Sequence, residues 1–262
     1  MKNLLITDLM RTFFSKRFIA SIFVFIGSFL INLLFNIYRS GQAVSGAWNI
    51  YFFSTGFGLN VFHITAPIAT VLSCGWLYLD SRKSGYIKHE LLHSTLWKYS
   101  LSKFCACCIC SSTSAFIGHI IILTICFAID PSPSLRILNA TYLASFSDIY
   151  LKSLLGYGAL HVMNGMLFSV VYACMTLAAS ALLNNVISLI IPILWHIIFF
   201  LISSSTNVYW LSALLPAGSP ALFDFPQWKF IYDYCVIFAG SLFAYFIASS
   251  KLLKYKVSFF TI

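Results

Sequence analysis

The sequence is poor in charged residues, and acidic residues are especially scarce. Asp, Glu, Lys and Arg make up 9% of the 262 residues, of which seven are acidic, whereas 60% are hydrophobic and 18% aromatic. Soluble globular chains carry about 25% charged and about 45 to 50% apolar residues. The positive residues are dispersed along the chain, which is a poor fit to a nucleic-acid-binding domain. The composition therefore predicts an integral membrane protein.

Two sequence patterns are also absent. The chain contains no GxxxxGK[ST] phosphate loop and no Gly-Lys pair, which excludes ATP binding and hydrolysis of that kind. It lacks the ten-residue alternation of a membrane barrel, and apolar runs of about 20 residues recur instead. We therefore predict an all-α membrane protein in which residues 1–262 form a single transmembrane domain.

Six apolar runs are long enough to cross the hydrocarbon core of a membrane. Pro67 is expected to allow a kink in the second run. A loop over 39–58 is predicted to join the first two spans. Prolines interrupt the apolar segment over 204–232, which predicts a re-entrant or surface-lying extracytoplasmic element before the last span. The predicted spans are roughly 18–38, 59–79, 104–128, 153–183, 186–203 and 233–250.

The N-terminal 17 residues predict an amphipathic helix in the membrane interface. A signal peptide fits less well, because the apolar run that follows is too long for an h-region. The polar side of this helix carries Asp8, Arg11, Thr12, Ser15 and Lys16. The apolar side, expected to contact the membrane, carries Ile6, Leu9, Met10, Phe13 and Phe14.

A polar segment over 80–103 separates the second and third spans. It holds five Lys or Arg residues, and burying its charges in lipid would cost on the order of 20 kcal/mol. Counting Lys and Arg by side gives twelve in the N-terminal helix, this segment and the C-terminal tail, against four in the opposite loops. By the positive-inside rule both termini and the polar segment face the cytoplasm, which predicts a multi-pass protein of the plasma membrane.

Within this segment, residues 86–104 predict a short amphipathic helix that then turns into the third span. Asp80 and Gly85 lie before this helix, and Leu91, Leu92, Lys98 and Lys103 lie within it. Together with the six-span layout, this pattern resembles the ABC-type-2 permease family, the membrane subunits of ATP-driven exporters. Two positions depart from the family pattern, since Tyr86 replaces a small residue and Ser94-Thr95 replaces a proline.

The resemblance implies that the segment is a coupling helix, which inserts into a cleft on a separate ATP-binding-cassette subunit. ATP and Mg would be bound by that partner, and this chain would bind no cofactor. Six spans are half of such an exporter, which implies a second copy or a similar permease. The residues expected to couple to the ATPase are Asp80, Gly85, Lys88, Glu90, Leu91, Leu92, Trp97, Lys98 and Lys103.

The predicted substrate is apolar or amphipathic, because no predicted span carries a charged residue in its interior and aromatic residues are abundant. Amphipathic peptide is our first choice, of the kind used in antimicrobial peptide export or immunity, and this choice carries over from the resemblance. A drug or lipid exporter of the same family is the alternative. Ionisable residues inside a membrane span are costly to bury, so each is treated first as a candidate functional residue. The candidate substrate path is His119, His161, Trp195 and His196.

The same polar segment contains a literal HExxH motif. His89 and His93 could bind zinc on one helix face, with Glu90 as general base of a metalloprotease. We favour instead a solvated helix face on which Glu90 contacts the partner subunit. The cysteine-rich stretch Cys105–Cys110 favours small apolar packing over metal binding, because metal sites usually use two separated pairs.

Overall fold

The computed structural model describes residues 2–40, 46–56, 61–92, 94–132, 149, 153–183, 186–206 and 227–257. All regular elements in these ranges are helical, as the sequence predicts. A 3₁₀ turn, Val186–Leu189, precedes the helix Ile191–Thr206. In chain order the helices are α1 Lys2–Phe13, α2 Lys16–Ser40, α3 Ala47–Gly56, α4 Val61–Cys74, α5 Trp76–Lys83, α6 Tyr86–Leu92, α7 Leu96–Ile129, α8 Leu154–Leu183, α9 Ile191–Thr206 and α10 Gln227–Val257.

Among the described residues, three helices are long and apolar enough to cross a membrane: the stretch Lys16–Phe35 of α2, all of α7 and all of α8. Two further apolar helical stretches, Val186–Ile198 and Tyr234–Ser250, are shorter. Large apolar side chains such as Phe23, Leu155 and Phe243 are exposed on the outside of the bundle. Such a surface is uncommon on a soluble monomer and suits contact with lipid.

The long helices run between two ends of the bundle, which we name by residues on α7. At the Lys103 end, Asp8 of α1 contacts Lys103, and Tyr245 of α10 donates to the Ser100 carbonyl. At the Asp130 end, the Gly46 amide donates to Asp130 Oδ2 at 2.6 Å. The described part of the N-terminal helix and the C-terminal half of α10 therefore lie at the same end.

Helix α3 was not predicted, because residues 39–58 were expected to form a loop. The side chains of residues 47–52, 54 and 55 are buried, with Trp48 stacked on Phe52 and in edge contact with Phe127. Asn32 of α2 donates to the Ser54 carbonyl, which satisfies an acceptor near the end of α3. Its aromatic residues and its polar Asn, Ser and Thr residues do not separate onto opposite faces, so the segment shows little amphipathic periodicity and the sequence did not predict a helix there.

The predicted second span is divided into α4 and α5. The division falls at Gly75, where a Cβ would lie 2.6 Å from the Val71 carbonyl oxygen and 2.8 Å from Thr176 Cγ2. A glycine is needed there because α8 approaches the backbone closely. Pro67 lies inside α4, as expected, and the break lies eight residues beyond it.

Several other helix boundaries differ from the predicted ones. Helices α9 and α10 include 204–206 and 227–232, where we predicted a re-entrant or surface-lying element. Helix α10 continues to Val257 rather than ending at 250. The remainder of that element, over 207–226, lies outside the described residues, as does most of the loop between α7 and α8. Helix α7 begins eight residues before the predicted start of the third span.

Candidate functional site

A buried ion cluster joins four helices around Lys103. Its ammonium lies 2.5 Å from Asp8 Oδ1 and 3.1 Å from Glu90 Oε1, and it donates to Ser81 Oγ at 3.1 Å. Ser102 donates to the second oxygen of Asp8. The Lys103 and Asp8 side chains are fully buried, and that of Glu90 is 3% exposed. The cluster therefore connects α1, α5, α6 and α7 through side chains that are shielded from water.

Burying three ionised groups requires mutual compensation. Each would cost several kcal/mol if it were buried alone, and their attraction offsets this only when the geometry and hydrogen bonds are good. Lys103 provides one positive charge for two carboxylates, so the cluster is one negative charge in excess when both are ionised. Ser81 and Ser102 complete the hydrogen bonding of Lys103 and Asp8.

Glu90 is the less well compensated of the two carboxylates. Its residue is 4% exposed and its Oε2 atom has no hydrogen-bond partner among the described residues. Burial raises the pKa of this carboxyl, and the nearby Lys103 ammonium opposes the effect only in part. The prediction that Glu90 lies on a solvated helix face is therefore wrong. The same burial removes Lys103 from any surface that a partner could touch.

Helix α6, which carries Glu90, is bounded by two local backbone features. Gly85 has a φ of +71°, a left-handed conformation that L side chains rarely adopt, and it separates α5 from α6. Thr95 is the N-cap of α7, and its hydroxyl accepts a hydrogen bond from the Lys98 amide at 3.4 Å. The continuous helix predicted from 86 to 104 is therefore two helices, of which the first ends at Leu92 and the second begins at Leu96.

The remaining coupling residues differ in exposure. Asp80 is paired with Arg17 of α2, and both side chains are 43% exposed. Lys98 and Gly85 are exposed, whereas Leu91 is half-buried against the apolar core at this end. Trp97 is 62% exposed although its ring stacks on Phe246 at 4.7 Å. The side chains of Lys88 and Leu92 lie outside the described residues.

The N-terminal segment is a helix, and the exposure of its side chains matches the predicted faces only in part. Ile6, Met10 and Phe14 are exposed, as a face toward lipid requires, whereas Leu9 and Phe13 pack into the apolar core. The predicted polar side is corrected, because Asp8 and Thr12 are buried against α7 rather than solvated. Asp8 is the one acidic residue in an otherwise basic and apolar N-terminal segment, and this could have identified it as a partner for a buried cation.

The zinc alternative rests on residues that the structure describes incompletely. The side chain of His89 and all of His93 lie outside the described residues. Glu90 is buried, and one of its two carboxylate oxygens contacts the Lys103 ammonium. Within the described part of the chain, no group of three His, Cys, Asp or Glu residues is placed to hold a metal ion.

The cysteine-rich stretch packs against α8. Cys107 and Cys110 are fully buried, and Cys108 Sγ lies 3.7 Å from Cys174 Sγ. All eight cysteines are free thiols. This packing is the arrangement expected of small apolar residues.

The histidines of the candidate substrate path are buried and paired with hydroxyl groups. Tyr51 Oη lies 2.9 Å from His119 Nδ1, and Thr55 Oγ1 lies 3.0 Å from His161 Nε2. The His119 and His161 rings are 5.8 Å apart, and α3 supplies both hydroxyl groups. The structure thus brings these two histidines together, in a packed aromatic interior.

The third histidine of the candidate path lies in a separate pair. Tyr172 Oη is 2.6 Å from His196 Nδ1, which joins α8 to α9. Trp195, the neighbouring residue, is 38% exposed on the other side of α9. These two residues therefore do not share one lining with His119 and His161.

Comparison with known proteins does not assign a family. No protein-family model matches the chain, and no curated protein matches it either. The function is therefore argued from the residues and their geometry.

Proposed function

We propose that this chain is the membrane-spanning subunit of an ATP-binding-cassette exporter. The observation that carries the proposal is the buried ion cluster, in which Lys103 connects the short helix α6 to α1 and α7. A force on α6 would reach the N-terminal helix α1 and the third crossing, α7, through ionic contacts that are not screened by water. A coupling element needs such a rigid connection to the bundle.

In the proposed topology the chain crosses the membrane six times. The crossings are α2, α4 with α5, α7, α8, α9 and α10, and α3 enters from the Asp130 end without crossing. Helices α2 and α7 run from the Lys103 end to the Asp130 end, whereas α8 runs the opposite way, since Cys174 contacts Cys108 and Tyr157 contacts Phe52. The Lys103 end faces the cytoplasm of a cell with this protein in its plasma membrane, because the Lys and Arg excess lies there.

The energy would come from a separate subunit that binds ATP and Mg, since the sequence has no phosphate loop. Two such subunits closing on ATP would press on α6 of each permease copy and change the packing of the two bundles. The partners are thus an ATP-binding-cassette subunit and a second copy of this chain or a similar permease. The proposed cargo is an amphipathic peptide, and a drug or a lipid is the alternative.

Co-purification tests the proposal directly. The full chain would be expressed with candidate ATPase subunits, beginning with any phosphate-loop ATPase encoded in the neighbouring reading frame. We expect the ATPase to be retained by the wild type. It should be lost when the exposed coupling residue Lys98 and Lys83, a second exposed cation of the polar segment 80–103, are reversed in charge, as Lys83→Glu with Lys98→Glu. The matched control is Lys16→Glu, an exposed residue outside the coupling segment.

Two results would contradict the proposal. The first is retention of the ATPase by the coupling variants to the same degree as by the control. The second is stoichiometric zinc together with a proteolytic activity that Glu90→Gln abolishes, which would establish the metalloprotease. Uptake of amphipathic peptides into inverted vesicles, compared with uptake of apolar drugs, then separates the candidate cargoes.

A further inference from the structure

A polar cleft opens between two bends of the chain at the Lys103 end. One wall is the junction of α1 and α2, and the other is the junction of α4 and α5. The cleft is small, with a cavity volume of about 70 Å³, and it is open on one side. Its polar lining includes Arg11, Ser15, Arg17, Ser73 and Asp80.

Both arginines of the cleft are held in place by aromatic rings. The guanidinium carbon of Arg17 lies 4.2 Å from the centre of the Trp76 ring, and that of Arg11 lies 4.8 Å from the centre of the Tyr86 ring. Stacking of this kind fixes the plane of a guanidinium and leaves its N–H groups at the edge free to bind. The two cations are thus preorganised on the same cleft.

The charge of the cleft favours an anion. Asp80 neutralises one cation through its contact with Arg17, so the lining keeps one positive charge in excess. Arg17 has five N–H donors and its contact with Asp80 uses one of its two terminal nitrogens. Arg11 and the remaining N–H groups of Arg17 match the bidentate geometry of phosphate oxygens.

The start of α2 adds to this preference. Lys16 and Arg17 occupy its first turn, where the positive end of the helix dipole disfavours cations. An anion bound near that turn would relieve this repulsion. Ser15, whose hydroxyl accepts from the Phe18 amide at 3.1 Å, places a further polar group at the mouth.

Apolar side chains flank the cleft on the outside of the bundle. Phe14, next to Ser15 in the chain, is 78% exposed, and Ile19 on the first turns of α2 is also exposed. We propose that the cleft binds a phosphate group, and that in the membrane this group is the headgroup phosphate of an anionic lipid whose acyl chains lie along Phe14 and Ile19. The site needs neither the ATPase partner nor transport, so its test is independent of the proposed function.

The test uses the full chain purified in a neutral detergent. Phosphatidylglycerol, phosphatidylcholine or inorganic phosphate is added, and bound lipid is counted by native mass spectrometry while the thermal unfolding midpoint is followed. A ligand of the folded state raises that midpoint. The variants are Arg11→Gln and the double variant Arg17→Gln with Asp80→Asn, which removes the paired charges together. The matched control is Lys83→Gln, an exposed basic residue that does not line the cleft.

We expect phosphatidylglycerol to stabilise the wild type and the control, and to bind about tenfold more weakly to Arg11→Gln, since charged hydrogen bonds to phosphate are lost. If inorganic phosphate gives the same Arg11-dependent stabilisation, the site is supported and its ligand is a soluble phosphate compound. Equal weakening in Lys83→Gln and Arg11→Gln, or equal stabilisation by phosphatidylcholine, would overturn the proposal. The double variant decides the matter if Arg11→Gln fails to fold.

Discussion

The ammonium of Lys103 lies 2.5 Å from a carboxylate oxygen of Asp8, a residue 95 positions earlier in the chain. This contact docks the N-terminal helix onto α7 through a pair that is fully buried. Glu90 shares the same ammonium, which attaches α6 to the same point. One lysine therefore determines how the first helix and the proposed coupling helix are placed on the membrane bundle.

Loss of Lys103 should destabilise the protein strongly. In Lys103→Met, two buried carboxylates lose their cation, and breaking a buried pair in this way costs about 3–5 kcal/mol. The unfolding midpoint in detergent should fall far more than in the control Lys98→Met, which removes the same charge from an exposed position. The triple variant with Asp8→Asn and Glu90→Gln should recover much of the loss. Equal midpoints for Lys103→Met and Lys98→Met would show that the cluster does not form.

Glu90 should make stability depend on pH. Its folded pKa is raised above the ordinary value of 4.5, so the folded state binds the proton more tightly than the unfolded state. Its contribution is therefore greatest at low pH and falls as pH rises from about 4.5 through the raised pKa. Glu90→Gln should match the wild type near pH 4 and become the more stable protein toward neutral pH. Unfolding midpoints measured for both proteins across about pH 4–8 check this sign, and a constant difference would contradict it.

Gly165 should not tolerate a side chain. A Cβ at this position would lie 2.2 Å from His119 Nε2, so Gly165→Ala must displace the histidine or part α7 from α8. We expect a loss of about 1–3 kcal/mol, as for overpacked cores, seen as a lower unfolding midpoint. Gly240→Ala is the matched control, since no atom lies within 4 Å of its added Cβ. The close packing of α7 on α8 would be disproved if both alanine variants behaved alike.

Gly85 should be required for its backbone conformation rather than for space. Its φ is +71°, yet no atom lies within 4 Å of an added Cβ. Gly85→Val should lower stability by about 1–2 kcal/mol because of the left-handed backbone, and Gly85→Asn should lower it less, since Asn adopts that conformation more readily. Ser84→Val serves as the control at the neighbouring exposed position. The decisive comparison is between the two Gly85 variants: Gly85→Val should have a lower unfolding midpoint than Gly85→Asn.

Much of the fold could be read from apolar run length. The span predicted over 153–183 is the helix Leu154–Leu183, because an uninterrupted apolar run must satisfy its own backbone groups by forming a helix. The helix Ala47–Gly56 was missed, since two of its polar groups, the Ser54 carbonyl and the Thr55 hydroxyl, bond to Asn32 and His161, which are remote in sequence. The interruption at Gly75 was missed for a related reason, because α8 and the 3₁₀ turn that follows it crowd that glycine.

The candidate site shows the same division. The sequence marked Glu90 and Lys103 as members of one polar segment, and it marked His119 and His161 as unusual residues in apolar surroundings. It placed Glu90 in water, because a charged residue in a polar loop is normally solvated. Burial became possible only through Asp8 and Lys103, which approach from other helices.

By itself the sequence determined that this is a helical protein of the membrane type, since composition and run length decide which segments can lie in lipid. Tertiary structure alone decided that Asp8, Glu90 and Lys103 share one buried point and that α3 supplies hydroxyl partners to two histidines. The physical reason is that the sequence gives the charge and polarity of each residue. The partners that offset the cost of burying a charge are brought close only when distant helices pack together.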